Sequence, residues 1–143
     1  VLPIEGRLLR NGLPMVEIRL FDAFCNPMEL RPLHDAPLTA LVDTGASISG
    51  VYFSLYRSMG LRTIRDIPAI GIGGEQNCPA SLVRLALVKQ AEAINDVNGF
   101  YILPDDVTVA AIQNHGSFDM ILGMDVIRTL GLTIERSGSF RLG

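Results

Sequence analysis

The chain has little charge and few of the residues that hold metals. Of its 143 residues 19% are charged and 48% hydrophobic, the balance of a compact folded domain and not of a disordered chain. No run of Lys or Arg marks a nucleic-acid footprint, and no basic amphipathic stretch marks a membrane surface. Neither is an expected partner. The longest apolar runs are a few residues, far below the ~20 needed to span a bilayer as a helix. No secretory signal is visible. The chain opens on Val1 and not on Met, so a trimmed or processed product is expected, with any targeting segment or anchor lying upstream and the cytoplasm as the default compartment. The two cysteines, Cys25 and Cys78, have no metal-type spacing and are expected as unpaired thiols in or near the core, although spacing alone leaves a disulfide open. His34 and His115 sit in turn-like surroundings without a partner at ligand spacing, and both read as surface residues. No metal or cofactor is expected. Repeats, low-complexity segments and linkers are absent too, so residues 1–143 read as one domain.

What is present is the punctuation of an all-β protein: short apolar runs cut by Gly, Pro, Asn and Asp. Strands are expected over residues 13–21, Leu38–Val42, 81–88, 98–103 and Val107–Ile112. Residues 23–33, with Cys-Asn-Pro and Arg-Pro, read as a loop. Residues 49–59 suit a strand followed by one short helical turn. Met124–Leu130 is the best helix, with Asp125 at its start, where unpaired N–H groups favour a carboxylate, and Gly131 past its end. Residues 132–142 read as a closing hairpin around Ser137-Gly138.

The strand at Leu38–Val42 ends in Asp43-Thr44-Gly45-Ala46-Ser47. A carboxylate straight after buried apolar residues is costly to desolvate, and such costs are tolerated at functional sites. Two carboxyl groups sharing one proton can hydrolyse a peptide bond without a metal: one activates water and the other protonates the carbonyl oxygen. Aspartic proteases are the standard example of such a coupled pair. The neighbours suit that task. Leu41 and Val42 lower the local dielectric. Thr44 offers a hydroxyl to a partner loop. Gly45 lets a backbone N–H approach the carboxylate, or takes a conformation barred to other residues. Ala46 leaves room for substrate, and Ser47 can donate to the turn or to Asp43. Further on, Ile121-Leu122-Gly123 runs into the helix and can brace the loop from behind. Between them lies Ala69-Ile70-Gly71-Ile72-Gly73-Gly74-Glu75, a glycine-rich hairpin tip that can cover a cleft. No Lys-Ser/Thr follows it, so it is not a phosphate loop.

These three segments, in this order, resemble the retroviral-type (retropepsin-like) aspartic proteases and their cellular and bacterial single-domain relatives. The resemblance covers residues 38–143; the first 37 residues are less diagnostic. It implies a closed, barrel-like all-β domain with one short C-terminal helix. It implies a homodimeric endopeptidase that needs no cofactor and acts on extended polypeptide, with Asp43 of each copy forming the dyad. Asp43, Thr44 and Gly45 would be the catalytic residues, with Thr44 locking the two loops together. Ala46, Ser47, Ile121 and the cover residues Ile72, Gly73 and Gly74 would meet the substrate. Viral members carry an acid after Asp-Thr-Gly-Ala and an Arg after the Ile-Gly strand. Here Ser47 and Met124 stand in those places, so the viral ion-pair network is not available in that form. The alternative reading is therefore a catalytically silent or regulated member that binds peptides or dimerises a larger protein. The two-domain pepsin type is excluded for this chain by its length and single motif. Asp119 and Asp125 lie outside any Asp-Thr/Ser-Gly turn and are not expected as the second acid.

Overall fold

A computed structural model describes residues 2–7, 12–26, 28–71, 74–89, 99–114 and 116–143. In chain order the elements are β1 (Ile4–Arg7), β2 (Met15–Asp22), β3 (Leu38–Val42), β4 (Gly50–Tyr52), α1 (Phe53–Ser58), β5 (Arg65–Gly71), β6 (Gly74–Lys89), β7 (Gly99–Ile102), β8 (Val107–Ile112), β9 (Met120–Leu122), α2 (Met124–Leu130), β10 (Leu132–Ile134) and β11 (Ser139–Leu142). The architecture is the expected all-β one. The helix expected at Met124–Leu130 is α2, and the helical turn expected within residues 49–59 is α1.

Six strands close a ring in the order β2, β3, β9, β4, β8, β6, with the β2–β6 pairing completing it. Closure removes the free edges that an open sheet would present. The residues facing inward form the main core, which includes Ile18, Leu20, Val51, Leu85, Leu87, Val109, Met120 and Leu122. Strand alternation supplies that face: in β2 the even-numbered Val16, Ile18 and Leu20 are buried while Glu17 is exposed.

β6 is longer than its sequence suggests. Asn77 and Pro79 read as punctuation, yet one strand runs for 16 residues through both. Its first stretch pairs with β5 only, and pairing with β8 begins at Ala80. A proline is tolerated where one edge needs no donor. Further along, β6 gives one edge to β2 and the other to β7. Its start and β5 form a hairpin in which Gly71 pairs with Gly74. A second, smaller cluster of Ile67, Cys78, Ala80 and Ala110 packs at the base of that hairpin. Both cysteines are free thiols, with Cys78 buried and Cys25 half-buried.

A separate three-stranded sheet joins the chain ends, in the order β1-β11-β10. The 132–142 hairpin is as expected, and β1, which no pattern in the first residues announces, pairs with β11. Phe140 and Leu142 carry this sheet onto the main core. Among the described residues no helix is long and apolar enough to cross a membrane.

Candidate active site

β3 delivers Asp43 to the end of the sheet. Leu38, Ala40 and Val42 point into the core, and the strand is held by β2 on one side and β9 on the other. The parallel ladder with β9 runs one residue past the strand, because the Asp43 N–H donates to the Leu122 carbonyl at 2.9 Å. The backbone at Asp43 is thereby fixed by rigid elements, while its side chain stands half-buried at the edge. The chain turns there. The Gly45 N–H donates to Asp43 Oδ1 at 2.9 Å, and the Ala46 N–H donates to the Asp43 carbonyl at 3.2 Å. A Cβ at residue 45 would lie 3.1 Å from that same Oδ1, so glycine is what permits the close approach.

The loop then crosses the end of β9. β4 lies on the other side of β9 and pairs with it antiparallel, so residues 43–49 bridge two strands with a third between them. The crossing point is Gly123. A Cβ there would meet the Ala46 carbonyl oxygen at 2.8 Å and the Ile48 carbonyl carbon at 2.8 Å. These are backbone atoms and cannot swing aside. The Met124 N–H closes the crossing by donating to the Ala46 carbonyl at 2.7 Å. This is the brace that the Ile121-Leu122-Gly123 run suggested.

Beneath the crossing is a hydrogen-bond unit that sequence reading did not find. The hydroxyl of Ser49, fully buried, donates to Asp125 Oδ1 at 2.7 Å and accepts the Gly123 N–H at 3.0 Å. The Ser49 N–H donates to Asp125 Oδ2 at 3.1 Å, and the Val126 N–H donates to Oδ1 at 2.9 Å. Asp125 thus serves the helix start, as expected, and ties that start to the loop. The only available sign of Ser49 was one polar residue among small and apolar ones just before β4. Asp119 acts similarly at the other end of β3. Its Oδ2 accepts the Thr39 N–H at 2.8 Å, and its own N–H donates to the Thr39 carbonyl at 2.8 Å. Both neighbouring acids are therefore engaged by backbone and hydroxyl groups. Among the described residues no hydrogen bond joins Asp43 to a second carboxylate.

Asp43, Thr44, Gly45, Ala46 and Ser47 thus share one loop, with Thr44, Gly45 and Ser47 exposed. Ser47 makes no hydrogen bond among the described residues, so the donor role suggested for it is not used here. Ile121 pairs with Leu41 across β3 and β9, and both are half-buried on the face opposite the core residues Val42, Met120 and Leu122. Leu41 therefore belongs beside Ile121 at the Asp43 end of the sheet, a placement that sequence spacing could not show. Gly74 is exposed at the start of β6, whereas Ile72 and Gly73 lie outside the described residues.

A six-stranded closed ring, a single Asp-Thr-Gly loop crossing an Ile-Leu-Gly strand, and a short helix behind it define the acid-protease architecture in its one-motif form. The family model for aspartyl proteases matches residues 32–126, well over half of the chain and all of the loop and its brace. The chain belongs to the aspartyl protease family, and its fold is retropepsin-like. Comparison with curated proteins finds no match. Among solved structures it is similar to the crystal structure of a retropepsin-like aspartic protease from Rickettsia conorii, at 16% identity and a TM-score of 0.58, over 98% of this chain and 89% of that one. At that identity the likeness is one of fold.

Proposed function

We propose that residues 1–143 are a single-domain aspartic endopeptidase that works as a homodimer, with Asp43 from each of two copies forming the acid–base dyad. The observation that carries this reading is Asp43 itself: a carboxylate fixed by β3 and β9 at the edge of the fold, with one oxygen held by the Gly45 N–H and, among the described residues, no second acid bonded to it. Two copies facing each other across a twofold axis supply the missing partner. One carboxylate takes a proton from water while the other, protonated, donates to the carbonyl oxygen of the scissile bond. Like charges so close cannot both ionise, so the pair holds one proton between them.

The exposed Thr44 is available to the opposite loop. Gly45 and Ala46 leave space for a peptide backbone, and Leu41 with Ile121 offers an apolar wall to a side chain. Substrate would lie extended under the β5–β6 hairpin and pair with it as an added strand. Ile72, Gly73 and Gly74 would form the cover.

The test is digestion of a peptide library by the wild-type chain and by Asp43→Asn over a broad pH range. Cleavage by the wild type and none by the folded variant is the expected result. Equal cleavage by both would overturn the reading. A wild type that binds peptides or self-associates, yet cleaves none, would leave the peptide-binding alternative in its place.

A further inference from the structure

Away from Asp43 the surface has a cleft of about 410 Å³ between the β2–β3 loop and the turn after α1. That is within the usual range of small-ligand sites, ~300–1,000 Å³. Its apolar lining includes Leu33, Met59, Leu61 and Leu82, and Arg31 and Arg62 also line it. Strand register places it at the far end of the sheet. Ile18 pairs with Leu38, Asp22 in the cleft lies four residues beyond Ile18, and Asp43 lies five beyond Leu38. At ~3.3 Å per residue the cleft is roughly 25–30 Å from Asp43 along the strands. It is no part of the site described above.

The charges in the cleft are unequally matched. Arg31 approaches Asp22 at 3.9 Å and Glu29 at 3.8 Å. Arg62 has no carboxylate partner among the described residues; its guanidinium lies over the Phe24 ring, 5.5 Å from the centroid. A guanidinium held on an aromatic ring keeps N–H donors that an anion can use. Asp22 uses Oδ1 to accept the Phe24 N–H at 2.8 Å. Its Oδ2 faces Arg31 only at ion-pair distance and retains acceptor capacity.

We propose that this cleft binds the carboxyl-terminal residue of a peptide with an apolar last side chain. The three parts of such a ligand have three matching partners. The terminal carboxylate meets Arg62, with Arg31 beside it. An N–H donates to Asp22 Oδ2. The side chain enters between Leu33, Met59, Leu61 and Leu82. A fatty acid would satisfy the cation and the apolar floor but would bring no N–H donor to Asp22 Oδ2. The assignment does not depend on Asp43 being catalytic.

The test is an NMR titration of ¹⁵N-labelled protein, carried out in the Asp43→Asn variant so that neither catalysis nor its failure affects the result. The probes are N-acetyl-leucine, N-acetyl-leucinamide and octanoate. N-acetyl-leucine should shift the amides of Leu33, Gly60, Leu61 and Leu82. The amide, lacking the charge, should bind about tenfold more weakly or worse, and Arg62→Gln should weaken N-acetyl-leucine by a similar factor. Arg31→Gln, at another exposed position of the cleft, should give a smaller loss. The proposal is overturned if the amide or octanoate binds as tightly as the acid. It is also overturned if the folded Arg62→Gln variant binds unchanged, if shifts are confined to residues 43–49, or if no shift appears up to the solubility limit.

Discussion

At the scale of single residues, Ser49 and Asp125 tie the loop that carries Asp43 to the start of α2. Ser49 is fully buried and uses its hydroxyl in both directions, so Ser49→Ala leaves the Gly123 N–H without its partner and removes one of the two donors to Asp125 Oδ1. Stranding buried groups of this kind costs about 1–3 kcal/mol. Urea unfolding should show that loss, and Ser49→Thr should restore part of it. Asp125→Asn is no milder, since both oxygens of Asp125 accept N–H or O–H donors and one would be replaced by an NH₂ facing a donor. Its stability should fall by a similar amount. Asp43 and Gly45 were legible in the sequence because their chemistry is local: one donates to the other across two positions. Ser49 was not, because its partner lies 76 residues away. Leu41 was legible as an apolar residue but not as a neighbour of Ile121, which only the parallel register of β3 on β9 establishes.

At the scale of elements, the crossing of the 43–49 loop over β9 tolerates no side chain at its centre. Gly123→Ala forces a Cβ against the backbone of Ala46 and Ile48, and overpacking of this kind typically costs about 1–3 kcal/mol. The melting temperature should drop, and amide shifts should spread from residue 123 into the Asp43 loop rather than into the terminal sheet. The terminal sheet has its own anchor. Phe140 is 2% exposed and sits in the main core. Phe140→Ala should cost about 3–5 kcal/mol by chemical denaturation. Hydrogen exchange should speed in β1 and β11 more than in β3. The barrel strands were readable from alternation and turn residues. The extent of β6 was not, because Pro79 is compatible with a strand only where one edge is unpaired, and pairing is not a local property. β1 escaped for the same reason, since its partner lies at the opposite end of the chain.

At the scale of the whole molecule, the proposed dyad makes activity a property of pairs of chains. Specific activity should fall on dilution, in step with a loss of dimer seen by sedimentation. Adding excess folded Asp43→Asn chain to wild type should suppress cleavage by drawing wild-type subunits into mixed pairs with a single native Asp43. Retained activity in such mixtures would argue for a dyad within one chain. The ring that carries Asp43 also has a consequence for how the protein is made. β9 lies between β3 and β4, and Ala40 pairs with Met120 some eighty residues later. Pairings of such long range form slowly, because closing the intervening loop must precede any gain from the contact. During synthesis the loop after Asp43 leaves the ribosome long before Gly123 exists to support it. The carboxylate is therefore translated early and ordered late, and a nascent chain stopped short of β9 has the motif without a shaped site.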